Sequence, residues 1–185
     1  MKKFIWIAML LFAVLLSGCD KIDTNIENYL NTSHPEVTKQ AEKVMPSLEE
    51  IGNYQDINYW YGYQDVLFFQ SHAFLLKVFY SQEEYFEKLE NIQQQYVFLE
   101  EPVQYTQERF LLPQAEFELD GYHFQVVSQT KDWEAVYPKD FMMIGCSEEQ
   151  NSIVYLYFYD ENLDYISTQE EPKSMEEFVR EYFQL

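Results

Sequence analysis

Few glycines, few cysteines and few basic side chains set the first limits on this chain. Five glycines among 185 residues leave no glycine-rich phosphate loop and no dinucleotide fingerprint, both of which need a backbone without Cβ atoms to approach a pyrophosphate. There is no G-x-S-x-G elbow to present a serine nucleophile, so cofactor-dependent catalysis is not expected and no cofactor is implied. Two cysteines, Cys19 and Cys146, give no disulfide framework. Three histidines, His34, His72 and His123, include no HExxH or i, i+4 pair that would set two imidazoles on one metal. Twelve Lys and Arg against 32 Asp and Glu give a net charge of −20. Nucleic acid is excluded as a partner, because binding a phosphate backbone requires cations that release its counterions.

What is abundant is aromatic: 16 Tyr, 15 Phe and 3 Trp. A chain this acidic still carries ample material for a packed core and does not read as disordered.

The amino terminus has its own pattern. Lys2 and Lys3 precede an apolar run from Phe4 to Leu16, followed by Leu16-Ser17-Gly18-Cys19. Thirteen helical residues rise only about 20 Å, short of the roughly 20 residues a spanning helix needs, so the segment reads as a secretory signal. It resembles the signal peptide and lipobox of bacterial lipoproteins. That resemblance implies diacylglyceryl transfer to the Cys19 thiol, cleavage before Cys19, and a membrane anchor on the extracytoplasmic face. The expected division is a signal peptide over 1–18, a lipidated cysteine with a polar tether over 19–32, and one globular domain over 33–185. Without Lys2 and Lys3 the 167-residue remainder holds ten basic and 32 acidic side chains, so its charge opposes anionic headgroups and the tether is expected to hold the domain away from the bilayer. With Cys19 acylated, Cys146 has no partner, and stability rests on packing.

Within the domain, Ser33-His34-Pro35-Glu36 reads as a helix start with Ser33 as the cap, and Pro46 ends that helix. NYWYGYQ, DVLFFQ and AFLLKVFY between Asn58 and Tyr80 read as three strands with Gln70-Ser71-His72 at a turn. Ser81 and Glu84 open an amphipathic helix with Tyr85, Leu89, Ile92 and Tyr96 on one stripe. Glu100–Gln114 reads as loop. Asp120-Gly121 nearly forces a two-residue hairpin with Leu119 opposite Tyr122, Phe117 opposite Phe124 and Glu118 opposite His123. A second hairpin joins Phe141–Cys146 to Ile153–Tyr159, and Ser174 caps a final helix whose stripe is Met175, Phe178, Val179, Tyr182 and Phe183. Tight turns between strands imply an α+β fold: an antiparallel or mixed sheet of about six to eight strands with about three helices packed mainly on one face. FELDGY, YPKD and YFYDENLDYI ahead of a short C-terminal helix are similar to small Gram-positive lipoproteins, a resemblance that brings no activity with it.

Candidate chemistry is sparse. Tyr59, Tyr61 and Tyr63 share one strand face with Trp60 on the other, and form a candidate ligand-binding platform for sugars or peptides; packing of both faces is the simpler account. All three histidines read as surface positions, with Glu118 and His123 an exposed cross-strand pair. Cys146 reads as a small buried hydrophobe. Asp160-x-Asn162-x-Asp164, with Glu171 at the twelfth position, partly imitates a calcium loop, but Tyr165 stands where the sharp turn needs Gly. The expectation is a monomeric, non-enzymatic binding domain, attached to the membrane through its lipid, with an extracellular protein, peptide or glycan as partner. An envelope hydrolase using carboxylates, with or without the assistance of calcium, is the alternative.

Overall fold

The computed structural model describes residues 21–66, 69–129, 133, 136–183 and 185. The expected signal segment and Cys19 lie outside the described residues.

Seven strands form one sheet in the order β1-β2-β3-β9-β8-β7-β6, every neighbouring pair antiparallel. They are β1 (Lys21–Asp23), β2 (Asp56–Val66), β3 (Phe69–Phe79), β6 (Glu116–Leu119), β7 (Tyr122–Val126), β8 (Lys139–Ser147) and β9 (Ser152–Asp160). A small second sheet pairs β4 (Val103–Thr106) with β5 (Arg109–Leu112) and β5 with β10 (Ser167–Thr168). Helices α1 (Pro35–Ala41), α2 (Leu48–Ile51) and α3 (Gln82–Gln95) cover one face of the large sheet. Helix α4 (Met175–Phe183) and the small sheet cover the other. The α+β class and strand number stand as read, with the C-terminal helix on the face opposite the other three.

The local reasons are visible in the sequence. Asp120 and Gly121 both take positive φ, 51° and 81°, as a type I′ turn demands, and the β6–β7 register pairs Phe117 with Phe124 and Glu118 with His123. Ser81 and Glu84 form a reciprocal capping box at the start of α3, as do Ser47 and Glu50 for α2. Ser174 and Glu177 exchange the same bonds before α4. Gly145 sits where a Cβ would come within 2.4 Å of the Phe124 ring, so this strand position has room for hydrogen only.

Four expectations are corrected. First, Asn58–Tyr80 makes two long strands rather than three, and Gln70-Ser71-His72 lies inside β3 because the β2–β3 register runs unbroken from Asp56↔Phe79 to Val66↔Phe69. Second, Ser33 does not cap α1: His34 is the residue before Pro35 and makes no side-chain cap, while Thr32 Oγ1 accepts from His34 N at 3.0 Å. Third, Val103–Leu112 is a hairpin rather than loop, its buried Leu111 and Leu112 supplying core. Fourth, the described part of 19–32 is not a tether. β1 adds to the sheet through Lys21↔Tyr63, Ile22↔Gly62 and Asp23↔Tyr61. Tyr29 is buried, and its hydroxyl donates to Pro46 O at 2.7 Å. A tyrosine fixed at both ring and hydroxyl turns polar-looking chain into ordered structure.

Candidate functional site

Strand β2 sends Tyr59, Tyr61 and Tyr63 to the helix-covered face, at 5%, 7% and 8% exposure, which leaves no open stacking platform there. Tyr29 meets Tyr59 edge to face at 5.5 Å between centroids, and the Tyr61 ring lies 4.7 Å from Phe74. Trp60 points to the other face and packs, half-buried, against the second core. Gly62 allows this, since a Cβ there would fall 2.1 Å from the Trp60 ring. The four residues offered as a ligand platform are packing residues on two faces, because α1–α3 together with Ile26, Tyr29 and Leu30 roof the side that looked free.

The same strand carries a cluster that the sequence did not announce. His72, read as a surface turn residue, is 1% exposed. Its Nδ1 lies 2.8 Å from the Tyr61 hydroxyl, and its ring stacks on Tyr63 at 4.9 Å and meets His34 at 4.6 Å. Tyr159 closes the far side. Burial, then the neighbouring His34, drives the His72 pKa down to about 4, so this imidazole is neutral at physiological pH. Burial raises Tyr61 to about 12, keeping the phenol protonated. With Nδ1 engaged, His72 Nε2 is buried with no hydrogen-bond partner among the described residues. Among those residues no group of three His, Cys, Asp or Glu side chains converges as a metal site.

An open groove lies beside the helix layer, where the chain between α1 and α2, the end of α3 and the sheet meet. Its volume is about 670 Å³, within the usual range for small-ligand sites. Val44, Met45 and Val127 supply its apolar lining, and Gln40, Lys43, Gln95, Ser128 and Gln129 supply donors and acceptors. Gln129 Nε2 is buried with no hydrogen-bond partner among the described residues, a donor left for a ligand or water. Glu50 and Asp140 add carboxylates. The Ser47 backbone and hydroxyl donate to Glu50 and hold its pKa down, and Asp140 accepts from the Tyr157 hydroxyl at 3.1 Å. Tyr96, whose hydroxyl donates to Val44 O at 3.3 Å, also lines an adjoining cavity of about 370 Å³ with Lys88, Ile92 and Tyr155. The arrangement suits a polar molecule with an apolar face, held by amides.

The remaining candidates stay apart from this groove. His123 is an exposed hairpin residue with Nδ1 2.8 Å from Glu118 and Nε2 3.6 Å from Glu116. Asp160 Oδ1 accepts from Asn162 N at 2.7 Å, and Asp164 accepts from the Tyr137 hydroxyl. These are the contacts of a polar turn, and they occupy oxygens a calcium ion would need. Cys146 is half-buried in β8, and burial pushes its thiol up to about 11, the opposite of an activated nucleophile. The sequence signal for His72 was the alternation His72, Phe74, Leu76, Val78 along one strand face; the polar Gln-Ser-His run masked it. The groove had no signal, because its walls come from four distant segments.

No protein-family model matches the chain, and neither a curated protein nor a solved structure matches it.

Proposed function

We propose that the chain is an exported lipoprotein, anchored through an acylated Cys19, whose α+β domain binds a polar peptide or glycan in the groove between the helix layer and the sheet. The observation that carries the anchor is the run Lys2-Lys3, Phe4–Leu16 and Leu16-Ser17-Gly18-Cys19. Two or three acyl chains hold durably, at roughly 0.8 kcal/mol per buried methylene. The groove reading rests on its amide-rich lining and the unpartnered Gln129 Nε2. Glu50, kept ionised by Ser47, is suited to accepting hydrogen bonds rather than to protonating a leaving group, which favours binding over hydrolysis.

For the anchor, Cys19→Ala is expected to move the protein from the membrane pellet to the soluble fraction or to leave an unprocessed precursor. Unchanged processing with membrane retention overturns it. For the groove, Ser128→Trp and Lys43→Glu in the full chain are expected to weaken binding to arrayed cell-wall glycopeptides and peptides at least tenfold, about 1.4 kcal/mol, with an unaltered circular dichroism spectrum. Equal binding by the variants places the ligand elsewhere.

A further inference from the structure

The position of β1 bears on how the domain meets a membrane. Lys21 pairs with Tyr63, three residues from the end of β2 at Val66 and seven from its start at Asp56. At about 3.3 Å per residue these are about 10 Å and about 23 Å. Two trans peptide units separate Lys21 from Cys19, so their Cα atoms lie within about 7.6 Å of each other wherever the intervening chain runs. An anchor on Cys19 is therefore confined to the end of the sheet where β2 turns into β3.

The two ends of the sheet differ in chemistry. At the far end stand the polar turns Asp120-Gly121 and Glu148-Glu149-Gln150-Asn151, tied together by the Tyr122 hydroxyl on Gln150 at 2.8 Å. At the near end the last described pair of β2 and β3 is Val66↔Phe69. Tyr137, 47% exposed just before β8, lies at this end with its hydroxyl 3.4 Å from that of Tyr105. Amphipathic tyrosines of this kind favour the headgroup layer. Asp65, Glu161 and Asp164 share the end, so anionic headgroups repel it and a zwitterionic surface suits it better.

We infer that the domain stands end-on against the bilayer, with the end of the sheet that carries the Val66↔Phe69 pair, Tyr105 and Tyr137 turned to the headgroups, because β1 enters the sheet two residues after the anchored cysteine. This rests on the anchor proposed above. It replaces a swinging tether with a fixed orientation and leaves the turns around Asp120 and Glu149 farthest from the membrane.

The test uses the full-length acylated chain, purified from bacterial membranes and reconstituted into phosphatidylcholine vesicles carrying a headgroup-attached energy acceptor. In a Cys146→Ser background, a fluorophore is placed at Glu161→Cys or at Glu149→Cys. Both positions are exposed, and they flank β9, whose nine residues span about 26 Å. Energy transfer is expected to be several-fold stronger from position 161. A Gly/Ser insert of roughly 15 residues between Asp20 and Lys21, about 21 Å in root-mean-square span, is expected to bring the two positions near equality without changing vesicle binding. Equal transfer without the insert, with acylation of Cys19 verified by mass, overturns the orientation and leaves the anchor standing. A difference that survives the insert overturns the role of β1. An unmodified Cys19 and a chain that fails to float with vesicles overturn the anchor itself.

Discussion

The two faces of the large sheet are buried to the same depth by different chemistry. β9 shows it within one strand: Ile153, Tyr155, Tyr157 and Tyr159 enter the core under α1–α3, while Val154, Leu156 and Phe158 enter the core under α4. The second core is mostly hydrocarbon, with Tyr122 and Trp133 among its buried residues and with Phe158 and Phe178 in ring contact with each other and with both Phe141 and Phe183. The first holds Tyr29, Tyr59, Tyr61, Tyr80, Tyr155, Tyr157 and the His72 imidazole, and burial raises the pKa of each of these phenols. A mostly hydrocarbon core depends chiefly on dispersion and burial. A tyrosine core adds the demand that each hydroxyl find a partner, and two such hydroxyls fasten the chain after α1 to the rest of the helix layer: Tyr29 reaches Pro46 O, and Tyr96 reaches Val44 O.

The comparison breaks most severely at Phe158. This ring is fully buried against Phe141, Phe178 and Tyr182, and Phe158→Ala is expected to cost about 3–5 kcal/mol in urea titration, the usual range for a core Phe truncated to Ala. A loss below about 1 kcal/mol on that same scale contradicts the packing described.

The pH response separates the faces next. His72 is the only buried histidine among the described residues, and its folded pKa of about 4 lies below the unfolded value near 6.5. The folded state therefore binds fewer protons in that interval. The stabilisation is complete above about pH 6.5 and is lost as pH falls through 6 and 5 toward 4, reaching about 3 kcal/mol. His72→Phe is expected to remove that part of the slope, read as the difference between the two proteins' unfolding free energies from pH 7 to pH 4. Parallel curves contradict a buried neutral imidazole.

The smallest effects sharpen the comparison inside the tyrosine face. Tyr80 is buried with its hydroxyl unpartnered among the described residues, so Tyr80→Phe is expected to be neutral or stabilising by up to about 1 kcal/mol. Tyr157 donates to Asp140, and Tyr157→Phe is expected to cost about 1 kcal/mol. Chemical denaturation of the pair checks the order; the reverse order would mean that Tyr80 is satisfied and Tyr157 is not.

Much of the fold was legible because it was local. The Asp120-Gly121 turn fixed its own register, the capping boxes at Ser81 and Ser174 set two helix starts, and period-2 and period-3.6 patterns marked β8, β9, α3 and α4. The misreadings share a cause. Gln70-Ser71-His72 looked like a turn because three polar residues interrupt an apolar run, yet eleven-residue pairing with β2 and a waiting tyrosine hydroxyl make the interruption part of the strand. Residues 21–32 looked like a spacer because their apolar residues are scattered, yet β1 needs only three backbone pairs on a sheet edge. The candidate site was less legible than the fold: the tyrosines of β2 were found as a group and assigned the wrong surroundings, and the groove and the His34–His72 contact were not seen.

The amino-acid sequence alone determined the acidic, aromatic character of the chain, the Asp120-Gly121 hairpin with its register, the hairpin of β8 and β9, and the amino-terminal pattern that resembles a lipobox, since each depends on neighbours within a few positions. Only the tertiary structure decided which tyrosines are covered, that a histidine is buried neutral, where a groove opens, and that Lys21–Asp23 pairs with the sheet. Those outcomes depend on distant segments meeting, and the energy of burying a side chain belongs to the pair of surfaces rather than to either stretch of sequence.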